Sequence, residues 1–128
     1  VNMAGGFQGT PEKIVSGGPM MGFAMFTLDV PVTKTSSSIL CMTKDEVAKY
    51  EPSACINCGR CIEACPSRLI PSRLADYAER HDEAAFEKEF GVECMECGSC
   101  SYVCPAKRQL KQAISSMRKT VLANRKKK

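Results

Sequence analysis

The 128-residue sequence predicts a mainly α-helical domain with a short β-rich segment ahead of it. Three observations predict it. One cysteine run occurs twice, as Cys55-x2-Cys58-x2-Cys61-x3-Cys65-Pro66 and Cys94-x2-Cys97-x2-Cys100-x3-Cys104-Pro105. The 28 residues between the runs, and the stretch after Pro105, place apolar side chains at helical spacing. Residues 1–42 instead alternate Gly-rich turns with short apolar runs. A single offset of 39 relates the two runs, and it also pairs Gly59 with Gly98 and Pro66 with Pro105.

The spacing carries the chemistry. Three cysteines at x2 spacing let one tight loop offer three thiolates to the same iron–sulfur cubane, while the x3 step starts a helix and swings the fourth sulfur away. Chains holding two [4Fe–4S] clusters use this run, and the fourth cysteine of each run ligates the other run's cluster. The expected first site is therefore Cys55, Cys58, Cys61 and Cys104, and the second is Cys94, Cys97, Cys100 and Cys65. Gly59 and Gly98 sit where a Cβ would crowd the cluster, and each closing Pro has no N–H to leave unpaired. Two four-thiolate zinc sites, in a structural or interaction module, are the rival from another class. Zinc modules, however, use separated cysteine pairs. Helices spacing the runs point to a helical ferredoxin-like domain.

The elements follow in order. Gly5-Gly6, Gly9-Thr10-Pro11 and Gly17-Gly18-Pro19 read as turns, with Ile14-Val15 leading into the last. Strands are expected at 23–28 and 38–42, with Pro31 between them. Thr43 and Glu46 have the spacing of a capping box, predicting a short helix from Thr43 that Pro52 stops. The domain boundary is accordingly expected at 42/43, giving a β-rich segment over 1–42 and a cluster domain over 43–128. Ile70, Leu74, Tyr77 and Ala78 form the stripe of a helix over 72–80. Asp82 is expected to cap a second helix whose Ala85, Phe86 and Phe90 share a face, with Gly91 in the left-handed position at its end. Leu110, Ala113, Ile114, Met117 and Val121 define the last helix. Its opposite face carries Lys107, Arg108, Lys111, Arg118 and Lys119, and 124–128 reads as a solvated, frayed tail.

Composition narrows the function. No stretch approaches the roughly 20 apolar residues that span a bilayer, and no signal peptide is evident. Nine cysteines in a soluble chain of a reducing compartment favour metal over disulfides. The formal charge is +4 with neutral thiols. Two loaded clusters would bring about −4, so the basic excess offsets cluster charge and no nucleic-acid partner is expected. The chain begins at Val1 and reads as part of a longer polypeptide. Cys41 lies outside both runs and reads as a small buried hydrophobe. His81, the sole histidine, sits at a helix junction, and no acid–base pair supports bond-making catalysis. Glu93 and Glu96 flank the second loop where Asn57 and Arg60 flank the first, so the second cluster is expected to have the lower reduction potential.

Several segments together resemble one family. Gly17-Gly18-Pro19-Met20-Met21-Gly22, Val30-Pro31-Val32-Thr33-Lys34, Leu69-Ile70-Pro71 and the residues filling the two runs, such as Ser99 and Ser101-Tyr102-Val103, are similar to the C subunit of the Rnf electron-transport complex. The resemblance covers nearly the whole chain. It implies a peripheral component on the cytoplasmic side of the bacterial cell membrane, in a complex that moves electrons between NADH and ferredoxin and couples this to ion transport. It further implies partner subunits, among them a ferredoxin-like one, and an upstream region that carries FMN and handles NADH. Residues 1–42 would then be the end of a β-grasp module, and the eight run cysteines match the family's ligands position by position. The chain's own part would be a one-electron relay between that flavin and a partner. The cluster region of a microcompartment cobalamin reductase is the related alternative.

Overall fold

A computed structural model describes residues 1–127, which fall into two compact units divided after Tyr50. The first unit is a three-stranded antiparallel sheet: β1 (Lys13–Ser16), β2 (Phe23–Met25) and β3 (Ile39–Met42), in the order β2-β1-β3. Val15 pairs with Ala24 on one side and Leu40 on the other, and it is the buried hydrophobe of this unit. Central strand β1 is the element the sequence revealed least, because Ile14-Val15 is too short a run to show a period. The turn after β1 is sterically determined. Gly17 has φ +100°, and a Cβ on Gly22 would lie 2.5 Å from the Gly18 carbonyl oxygen and 2.7 Å from Val15 Cγ1. Cys41 proves exposed, because Leu40 and Met42 take the more covered positions of the alternating strand.

The helix expected from Thr43 does not form. Asp45, rather than Thr43, accepts from the backbone N–H groups of Val47 (3.1 Å) and Ala48 (3.4 Å), closing a single turn. Lys13 of β1 donates to both Asp45 carboxylate oxygens at 3.0 Å and holds this carboxyl below its ordinary pKa. Glu12 accepts from the Asp45 N–H at 2.7 Å. These bonds draw the segment onto the sheet, so the unit ends after Tyr50 rather than at 42/43.

Among the described residues, the second unit contains five α-helices: α1 (Arg60–Glu63), α2 (Pro71–Glu79), α3 (Glu83–Lys88), α4 (Ser99–Tyr102) and α5 (Leu110–Lys127). Pro71 occupies the first turn of α2, where its missing N–H costs nothing, and Ile70 before it is held out of helical conformation. The helix closes with a Schellman motif: His81 takes φ 56°, its N–H bonds the Ala78 carbonyl, and the Asp82 N–H bonds that of Tyr77. His81 is thus a capping residue. Asp82 at once caps α3, accepting from the Ala85 N–H at 3.0 Å.

Leu74, Ala75 and Ala78 of α2 pack with Phe86 of α3 and Leu110, Ile114, Met117 and Val121 of α5. Phe86, Leu74 and Ile114 are almost wholly removed from water. Burial of each such side chain is worth about 1.5–3 kcal/mol. The α3 exit differs from expectation. Phe90, not Gly91, adopts the left-handed conformation (φ 58°) and stays exposed instead of sharing the buried face of Phe86. Gly91 is needed for space, since a Cβ there would lie 2.4 Å from Phe86 Cε1.

Two arginines at the basic face of α5 are held by partners from other elements. Arg108, just ahead of the helix, donates to Asp76 and Glu79 at 2.9 Å each, while Arg118 reaches the Val92 carbonyl at 2.8 Å. Helical structure continues through 124–127, where a frayed tail was expected, and Asn124 and Arg125 bond Glu83 and Glu87 of α3. Residue 128 lies outside the described residues.

Candidate metal centre

The duplication visible in the cysteines extends to backbone conformation. Gly59 and Gly98 take φ 76° and 85°, and each precedes a single helical turn, α1 or α4. Asn57 and Glu96, between the first and second cysteines of their runs, take φ 54° and 58°, while Arg68 and Lys107, three residues past the fourth cysteine, take φ 52° and 53°. Three left-handed positions recur at the offset of 39. Left-handed backbone is disfavoured for side chains other than Gly, so its repetition marks a specified loop shape.

Each loop wraps a concavity, and the lining of the two concavities crosses between the runs. A cavity of about 320 Å3 is lined by Cys55, Cys58, Cys61 and Cys104. A tighter one, of about 20 Å3, is lined by Cys94, Cys97, Cys100 and Cys65. Two features bring the distant stretches together. The Ser53 N–H donates to the Ala106 carbonyl at 2.9 Å, joining the chain just before the first run to the chain just after the second. Helices α1 and α4 also pack on each other. Among the described residues, no three His, Cys, Asp or Glu side chains converge on a point suited to one metal ion.

The two surroundings differ. Cys55 and Cys58 are exposed, whereas Cys100 is buried and its companions in the second set are partly so. Arg73, Asp76 and Arg108 line the first cavity, and Leu74, Ile114, Glu96 and Lys111 help to line the second. Burial opposes the charge of Arg108, but hydrogen bonds to Asp76 and Glu79 outweigh it and raise the pKa above the ordinary guanidinium value. Burial pushes the Cys94 thiol up and the Cys100 thiol up to about 11. Cys97 moves down because the Ser99 hydroxyl, with Oγ 3.5 Å from its sulfur, and the Ser99 N–H favour the thiolate. Backbone N–H groups also meet sulfur: Leu69 donates to Cys65 Sγ and Glu96 to Cys94 Sγ, each at 3.4 Å.

Sequence reasoning singled out the eight cysteines that line the two cavities but not the polar groups behind them. Arg108 and Asp76 are 32 residues apart, and Arg118 and Glu96 are 22 apart. No local spacing could pair them. Glu96 was legible only as a charge beside the second loop; in the fold it meets Arg118 Nη1 at 3.3 Å and Ser115 Oγ at 3.0 Å.

Residues 54–108, which contain both runs, match the family described as a 4Fe-4S dicluster domain. The chain is 44% identical over 127 residues to the C subunit of the Na(+)-translocating ferredoxin:NAD(+) oxidoreductase complex of Acetobacterium woodii, a match covering 99% of this chain and 29% of the relative. It is 46% identical over 92 residues to the proton-translocating counterpart of Clostridium ljungdahlii, covering 72% of this chain and 20% of that one. The C subunit of the ion-translocating oxidoreductase complex of Methanosarcina acetivorans is 41% identical over 114 residues, covering 89% and 26%. The chain therefore spans less than a third of the length of these relatives. On sequence and on the placement of its cysteine runs, it belongs to the family formed by the C subunits of ion-translocating oxidoreductase complexes.

Proposed function

We propose that the second unit holds two [4Fe–4S] clusters, one on Cys55, Cys58, Cys61 and Cys104 and the other on Cys94, Cys97, Cys100 and Cys65, and serves as a one-electron relay. The observation that carries this reading is the crossed lining of the two cavities. Four thiolates per cavity meet the ligand demand of a cubane cluster. The first cavity also has open volume, while the second has the donor set in a narrower space. A cluster bound at either place supplies reversible uptake and release of single electrons.

The chain's residues do the rest. The left-handed positions at Asn57, Gly59, Glu96 and Gly98 give both loops the same backbone shape, with three cysteines of each run along one cavity. The N–H groups of Leu69 and Glu96, each 3.4 Å from its sulfur, give Cys65 and Cys94 hydrogen-bond donors of the kind that support ligating sulfur. Leu110 at the first cavity, and Leu74 and Ile114 at the second, supply apolar lining from the buried core.

The likeness to C subunits of ion-translocating ferredoxin:NAD(+) oxidoreductase complexes supports a role for the relay within a complex of that kind. NADH and FMN would be handled outside this chain, and electrons would pass to a ferredoxin-like partner in the complex. Among the described residues, no helix is long and apolar enough to cross a membrane. A peripheral position on the cytoplasmic side of the bacterial membrane fits this. Metal and sulfide analysis of the anaerobically loaded chain is the test. About eight irons and about eight inorganic sulfides per chain are expected from two cubane clusters. Two zinc ions with no sulfide would replace this reading with a structural zinc module.

A further inference from the structure

Ser115 is the buried polar side chain of the core, and its hydroxyl is spent on Glu96 Oε2 at 3.0 Å. The other Glu96 oxygen takes Arg118 Nη1 at 3.3 Å. Arg118 is itself anchored by its Nε–H on the Val92 carbonyl at 2.8 Å. Glu96 sits between ligands Cys94 and Cys97, in left-handed backbone, and its own N–H points at Cys94 Sγ. A carboxylate is therefore fixed within the second ligand loop, with a guanidinium fixed against it from α5. The equivalent position in the first loop is Asn57, a neutral side chain whose Oδ1 lies 3.7 Å from Cys55 Sγ. The pair at the second loop is only partly exposed, with side chains 31% and 23% accessible, so solvent screens it incompletely.

We propose that Arg118 is the charge-compensating and positioning residue of the second site, so that the Glu96–Arg118 pair sets that site's reduction potential independently of the first. The inference rests on the two-cluster reading above and deepens it. A negative charge near the cluster disfavours an added electron, and a positive charge favours it. Paired, the two groups present little net charge to the site. This removes the basis for expecting a lower second potential from Glu96 alone. Lys111, which also lines the second cavity, leaves the local balance no more negative than neutral.

The pair makes opposite errors when broken from either side. In the full chain loaded anaerobically, Arg118→Gln leaves the carboxylate uncompensated and should lower the midpoint potential of the second cluster. Glu96→Gln leaves the guanidinium uncompensated and should raise it. The double variant should return close to the unsubstituted value, and Arg118→Lys should restore most of it. The readout is redox titration by electron paramagnetic resonance, with the second cluster's signal identified as the one perturbed by Cys97→Ser.

A structural role alone would loosen the loop in both single variants and could not reverse the sign. Shifts in the same direction, shifts of equal size in both clusters, no shift, or loss of the second cluster in both single variants would each overturn the proposal. If the unsubstituted chain takes up no cluster at all, the reading beneath it fails instead.

Discussion

At residue scale, the second cysteine set contains opposed tendencies within one loop. Ser99 moves the Cys97 thiol down from its ordinary pKa, while burial moves Cys94 and Cys100 up. A thiol whose pKa is raised from 9.0 to about 11 binds a proton more tightly folded than unfolded. Between those values the folded, metal-free chain thus carries more protons, and the stability from this group is present below pH 9 and lost as pH rises toward 11. Urea unfolding of the metal-free chain should show stability falling across that window, and Cys100→Ala should flatten the fall. An undiminished fall in the variant would assign it to other groups. Metal uptake runs the other way, because ligation must displace the Cys100 proton and release it.

At the scale of elements, the sequence was most informative where a period or a cap was strong. Leu110, Ile114, Met117 and Val121 give α5 its core face, and Asp82 caps α3 as its position suggested. It was least informative where tertiary contacts decide the outcome. Thr43 and Glu46 have capping-box spacing, yet Lys13 captures Asp45 and limits the segment to one turn. Gly91 looks like a helix terminator but is required by the ring of Phe86, while Phe90 takes the strained backbone. Two substitutions separate these causes by thermal unfolding. Asp82→Ala removes one cap and should cost about 1 kcal/mol. Gly91→Ala forces a methyl group into the Phe86 ring and should cost about 1–3 kcal/mol. If Gly91→Ala were neutral, Phe86 would have room to move and the steric account of this corner would be wrong.

At the scale of the whole molecule, the cysteines announced a repeat and the fold carries it through. Single helical turns, glycine caps and left-handed loop positions recur at one offset, although only the ligands, Gly and Pro show it in sequence. The companions of the ligands diverge between the copies. Arg108, Asp76 and Glu79 serve the first cavity, and Glu96, Ser115 and Arg118 serve the second. Side-chain networks built from residues tens of positions apart leave no local pattern, which is why the sites were legible and their electrostatics were not.

The central claim is that each site draws three sulfurs from one run and the last from the other. Single serine replacements at Cys65 and Cys104, each in the anaerobically loaded full chain, test it most directly by electron paramagnetic resonance. Cys65→Ser should perturb the signal that Cys97→Ser also perturbs, and Cys104→Ser the one that Cys58→Ser perturbs. If Cys65→Ser instead altered the signal shared with Cys58→Ser and left the other intact, each run would serve its own cluster and the crossed arrangement would be wrong.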